Sequence, residues 1–127
     1  MTSNPIGWFE IYVQDMPRAK AFYEKVLQME LRTMDAPGDM IVEMEAFPMA
    51  GMNNYGSCGA LVKMNGFTPS GNGTIVYFNC EDCSNEQGRI VAAGGKIQAP
   101  KMAIGEHGFC ALAIDTEGNI FGLHSMK

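Results

Sequence analysis

A repeat within the chain most constrains what it can fold into. Trp-Phe-Glu-Ile-Tyr-Val (Trp8 to Val13) is rich in aromatic and β-branched types and alternates, as a half-buried strand does. The stretch Gln14-Asp15-Met16-Pro17 then breaks the pattern, with Asp15 placed to cap a helix and Pro17 in its first turn. Ala19, Phe22, Tyr23, Val26 and Leu27 follow at helical spacing, predicting an amphipathic helix over 16–28. Ile75 to Cys80 is strand-like again, and Glu81-Asp82-Cys83-Ser84 breaks again. Ser84 and Gln87 have capping-box spacing ahead of a weaker helix carrying Ile90, Val91 and Ala92, which Gly94-Gly95 stops. Placing Asp15 over Asp82, an offset of 67, superposes both strands and both helix starts.

Each half continues with three strand-like pieces. They are Met29 to Met34, Met40 to Phe47 and Gly59 to Met64 in the first half, with a loop from Pro48 to Ser57. In the second they are Lys96 to Pro100, Gly108 to Ile114 and Asn119 to His124, with a loop around Gly105 and a turn at Asp115-Thr116-Glu117-Gly118. Both halves read βαβββ, an α+β class. The expected organisation is one domain over 1–127, with module one about 5–64, a Gly/Pro/Ser linker about 65–73 and module two about 74–127.

Composition narrows the partners. Nine Lys and Arg stand against fourteen Asp and Glu, a net charge of −5 with no basic cluster, so nucleic acid is not an expected partner. No apolar run is long enough to cross a bilayer, and the first residues carry neither a basic nor an apolar leader region, so the expectation is no membrane and a cytoplasmic address. Cys58, Cys80, Cys83 and Cys110 are then expected as reduced thiols. Cys80 and Cys83 have C-x-x-C spacing, but a zinc site needs a second such pair, and a structural role is expected. Methionines 40, 44, 49, 52 and 64 gather in the first module's hairpin, as core filling or as a soft wall for an apolar ligand.

Two segments carry a family resemblance: Gly7-Trp8-Phe9-Glu10-Ile11-Tyr12-Val13 with Asp15 and the Phe22-Tyr23 pair, and the closing Asp115-Thr116-Glu117-Gly118-Asn119 turn with Ile120 to His124. The chain resembles the vicinal oxygen chelate superfamily of glyoxalases, bleomycin-resistance proteins and extradiol dioxygenases. The resemblance implies curved mixed sheets around a cavity, helices outside, and a homodimer. On that fold, period-two geometry sends Phe9, Ile11, Val13, Val76, Phe78, Cys80, Phe121 and Leu123 under the helices. It leaves Trp8, Glu10, Tyr12, Ile75, Tyr77, Asn79, Gly122 and His124 on the ligand side, with His107 at the rim.

The resemblance also says where metal-using members place His and Glu ligands. Those positions hold Trp8, Ile75, Gly122 and, by the closest fit of loop lengths, Ala60, none of which offers a side-chain ligand, so no metal or other cofactor is expected there. A relocated divalent site would need Glu10, His107 and His124 to converge. Glu10 is the sharpest observation, because a carboxylate within an aromatic strand must be paired, solvated or neutral. The leading expectation is a protein that binds a small hydrophobic or aromatic molecule, with Glu10 as polar anchor. The alternative is a glyoxalase-type lyase or isomerase with Glu10 as the catalytic base and a displaced metal or none.

Overall fold

The computed structural model describes residues 4–38, 40–49 and 56–127. Among them, eight strands and two helices follow the order β1 (Ile6–Tyr12), α1 (Met16–Leu27), β2 (Arg32–Met34), β3 (Glu43–Ala46), β4 (Cys58–Lys63), β5 (Thr74–Asn79), α2 (Cys83–Ile90), β6 (Lys96–Ala103), β7 (Phe109–Ile114) and β8 (Ile120–Ser125). A short 3-10 turn, Gly105–His107, precedes β7. The βαβββ repeat is present twice, and the fold is α+β. Met52, one of the methionines grouped above, and most of the Pro48 to Ser57 loop lie outside the described residues.

The chain divides into two compact units: an N-terminal one of Trp8–Ala36 and Met40–Thr74, and a C-terminal one holding Ile75–Lys127 with the segments that end at Gly7 and begin at Pro37. The boundary thus cuts β1 after Gly7, and the predicted linker falls inside the N-terminal unit. There the linker is packed: Phe67 stacks on Tyr12 with ring centroids 4.9 Å apart, and Gly73 O accepts the Tyr12 amide.

Both units have the same connectivity. In the N-terminal unit β1 lies parallel to β4, and β4 pairs antiparallel with β3, which pairs antiparallel with β2. In the C-terminal unit β5 lies parallel to β8, and β8 pairs antiparallel with β7, which pairs antiparallel with β6. A parallel partner requires a crossover, and the helix after each first strand begins it. The two aspartates aligned in the sequence start both helices. Asp15 Oδ1 accepts the Arg18 amide and Asp82 Oδ1 accepts the Ser84 amide, each at 3.0 Å. Ser84 is therefore not the cap of α2, and the expected capping box does not form. Gln87 instead accepts the Lys101 amide at 2.7 Å, because it faces β6 rather than the helix start. At its other end α1 stops at Gln28, which takes the left-handed conformation (φ 55°) without the help of a glycine.

Alternation decides what each helix covers. Under α1 lie Val13, Met16, Leu31 and Leu61, with Ile11, Ala19, Tyr23 and Phe47 packed against them. Phe9 joins through Phe47, at 5.4 Å between centroids, and its ring occupies the space where a Gly59 Cβ would stand. One polar group is buried beside α1: Glu45 accepts from Thr33 Oγ1 at 2.7 Å, and Lys20 Nζ sits 2.9 Å from its other oxygen, an ion pair off the line of a hydrogen bond. Burial pushes the Glu45 carboxyl up, but Lys20 and Thr33 outweigh it and hold the group below its ordinary value.

Under α2 lie Cys83, Ala111 and Leu123, with Phe78, Cys80, Ile90, Phe109 and Phe121 around them. The start of α2 is tied down by polar contacts. The Cys83 amide donates to Ser125 Oγ at 3.0 Å, and Lys101 Nζ reaches Asp82 Oδ1 at 2.8 Å while lying 4.7 Å over the Phe109 ring. The turn before β8 is closed by Asp115, whose carboxylate accepts the Glu117 and Asn119 amides.

Two outcomes follow. Leu61 is fully buried, so Leu61→Ala should lower unfolding free energy by about 2–5 kcal/mol, read from the urea midpoint at unchanged slope. The hydrogen bonds from Lys101 and Ser84 hold the Asp82 carboxyl well below its ordinary 3.8. A depressed folded value means that the stabilisation is complete above 3.8 and fades as pH falls beneath it. Asp82→Asn should therefore destabilise the protein near neutrality, and should lose less of its midpoint than the parent on acidification.

Candidate functional site

The face of β1 turned away from α1 carries Trp8, Glu10 and Tyr12, because residues two apart share a face. The two flanking aromatics both donate to the carboxylate between them. Trp8 Nε1 donates to Glu10 Oε2 at 3.1 Å, and Tyr12 Oη donates to Glu10 Oε1 at 2.5 Å. Tyr12 is itself buried and locked against Phe67, so its hydroxyl is a fixed donor. In the register Glu10 sits opposite Ala60, a residue with no exposed surface. A carboxylate has about four lone-pair directions, so one on each oxygen is open to a further donor. The arrangement presents an oriented acceptor among aromatic carbon.

In the C-terminal unit the parallel register sets Tyr77 opposite Gly122 and Asn79 opposite His124. The Tyr77 ring lies over Gly122, in the space that any Cβ there would need. Asn79 packs its side chain on Gly7, and its amide donates to Pro5 O at 2.8 Å. His124 Nε2 is 2.6 Å from the His107 carbonyl oxygen. A carbonyl only accepts, so Nε2 carries the proton and β8 is tied to the 3-10 turn. The His107 ring is partly exposed, with Nε2 3.9 Å from Glu106. Ile75 is wholly buried.

These placements test the metal that the fold family implies. Ala60 and Ile75 are buried hydrocarbon, Gly122 is roofed by Tyr77, and Trp8 offers only an N–H, already directed at Glu10. The residues at the family's ligand positions do not fit a cation. Among the described residues no group of three or more His, Cys, Asp or Glu side chains is arranged to hold one. The relocated trio is likewise not assembled, and one of its imidazoles is committed to a backbone carbonyl.

The remaining candidates separate. All four cysteines are free thiols. Cys83 is fully buried at the start of α2, while burial and the charge of Glu86 push the Cys80 thiol up to about 11, so the C-x-x-C pair is no nucleophile. Met44 belongs to the interior while Met40 and Met49 are exposed, so these three do not form one wall. Two features escaped sequence reasoning. Phe67, the lone aromatic of a turn-rich segment, fixes Tyr12. Glu86 sits in a groove beside α2, which helical periodicity does not reveal.

Comparison with known proteins agrees with this geometry. Residues 5–123 match the family profile of the Glyoxalase/Bleomycin resistance protein/Dioxygenase superfamily. Among solved structures, Streptomyces coelicolor methylmalonyl-CoA epimerase (Q60A) in complex with 2-nitronate-propionyl-CoA is 16% identical at a TM-score of 0.65, covering 96% of each chain. Methylmalonyl-CoA epimerase from Mycobacterium tuberculosis is 13% identical at a TM-score of 0.66, over 97% of this chain and 88% of that one. An uncharacterized protein from Methanosarcina mazei is 16% identical at 0.59, over 100% and 95%. No curated protein matches the sequence. At such identities the solved structures speak for the fold alone, while the profile spans nearly the whole sequence, and the chain belongs to the Glyoxalase/Bleomycin resistance protein/Dioxygenase superfamily.

Proposed function

We propose that this protein binds a small hydrophobic or aromatic molecule without a metal, using Glu10 as the polar anchor, and that it does so as a cytoplasmic homodimer. The observation that carries the reading is the Trp8–Glu10–Tyr12 row: a carboxylate held on both oxygens by aromatic donors, with acceptor capacity to spare. Such a group fixes the orientation of a ligand bearing an N–H or O–H, and the aromatic carbon around it takes the apolar body. Supporting the metal-free part, the family's ligand positions are hydrocarbon or are blocked by Tyr77. The acidic charge and free thiols agree with the compartment.

Trp8 is the only tryptophan, so its emission reports directly on Glu10. Phenols, anilines and indoles titrated onto the protein should change that emission saturably, and Glu10→Gln should weaken the donor-bearing fragments by about tenfold. Equal affinity for the parent and the variant would remove Glu10 as anchor. The enzymatic alternative, a glyoxalase-type lyase or isomerase with Glu10 as base, is tested in parallel. Elemental analysis should find no stoichiometric divalent ion. Turnover of methylglyoxal with glutathione, or epimerisation of methylmalonyl-CoA, with or without added metals, would overturn the binding-only reading.

The blocked metal position has its own test. Gly122→Ala should cost about 1–3 kcal/mol by forcing the Tyr77 ring aside, and the same change in a Tyr77→Leu background should cost less. Additive losses in the two backgrounds would show that the ring does not occupy that space.

A further inference from the structure

A second concavity lies on the helix side of the C-terminal unit, away from the row on β1. It has a volume of about 430 Å³ and runs between α2 and the first and last strands of the unit, with Phe78, Phe121, Ile90 and Ala93 as apolar walls and Glu86 and Arg89 as charged ones. Its origin is in the sequence. The second helix has eight residues where the first has twelve, so it leaves Phe78 and Phe121 only partly covered.

Within this groove Glu86 is in an unusual state. Its Oε1 is cut off from solvent and has no hydrogen-bond partner. Its Oε2 is 3.9 Å from the Arg89 guanidinium, too far for a hydrogen bond, and that guanidinium is mostly in solvent. The inner oxygen faces the Cys80 thiol, whose ionisation the Glu86 charge opposes. A buried carboxylate oxygen is acceptor-only and costly to leave unmatched, and an N–H carrying positive charge is the partner that recovers most. The chain's charge of −5 favours a cation over an anion.

We propose that this groove binds a small cationic amphiphile, an arylalkyl amine whose ammonium meets Glu86 Oε1 and whose ring lies on Phe78, Phe121 and Ile90. A volume of about 430 Å³ accommodates one aromatic ring with a short alkyl arm. The site is independent of Glu10, and each can fail alone.

The test is an amide-resolved NMR titration of the whole chain with phenethylamine, using phenethyl alcohol and phenylpropionate as size-matched controls. The amine should saturably shift the amides of Glu86, Ile90, Ala93 and Phe121. Phenethyl alcohol should bind about tenfold more weakly, and Glu86→Gln should bring the amine down by a similar factor. Ala93→Phe, a change at an exposed position on the rim, should fill the groove and abolish the shifts while leaving the rest of the spectrum in place. Equal binding of all three compounds, preference for phenylpropionate through Arg89, indifference to Glu86→Gln, or shifts confined to residues 8–12 would each overturn the proposal.

Discussion

The constraint on which the rest depends is the strand alternation that each aspartate-capped helix folds down upon. Asp15 and Asp82 end an extended segment and start a helix by offering an oxygen to amides that would otherwise lack a partner. The helix then buries one face of the strand it follows: Ile11 and Val13 in one unit, Phe78 and Cys80 in the other. Because side chains alternate strictly, the burial of one set commits Trp8, Glu10 and Tyr12, and likewise Tyr77 and Asn79, to the other face. The chemistry of the candidate site is thus a by-product of how the core is sealed.

On that second face the two units have diverged in an informative way. Where the family places metal ligands, this chain has a glycine beneath a tyrosine ring, two buried aliphatic side chains and an indole turned to a carboxylate. Each of these is a packing solution, and together they leave a hydrogen-bonding site built around one carboxylate. Glu10 is held rather than exposed, so its function rests on orientation. An acceptor whose two oxygens are pinned by rigid aromatic donors meets a ligand with little rearrangement to make.

Much of the fold was legible in the residues. Strand and helix types follow from periodicity, the 67-residue offset aligned both caps, and the Asp115 turn closes as its Asp-x-x-Gly-Asn pattern implies. Edges were less legible. The capping box at Ser84 failed because Gln87 found the Lys101 amide, a partner fourteen residues away that no local pattern reveals. The segment 65–73 looked like a linker by composition, yet Phe67 packs it against Tyr12. Glu10 was visible as an anomaly, a charge in an aromatic strand, but its partners were not.

By itself the sequence determined the class of fold, the duplicated order of elements, the faces of the strands and the lack of donor atoms at the family's metal positions. These are consequences of local periodicity and of side-chain chemistry, which need no knowledge of what lies across the chain. The tertiary structure alone decided that Trp8 and Tyr12 both serve Glu10, that Tyr77 fills the space over Gly122, that His124 is spent on a backbone carbonyl, and that a short second helix leaves Glu86 at the wall of a groove. Those outcomes depend on which side chains compete for one small volume and which polar atoms find partners within it, and only packing resolves that competition.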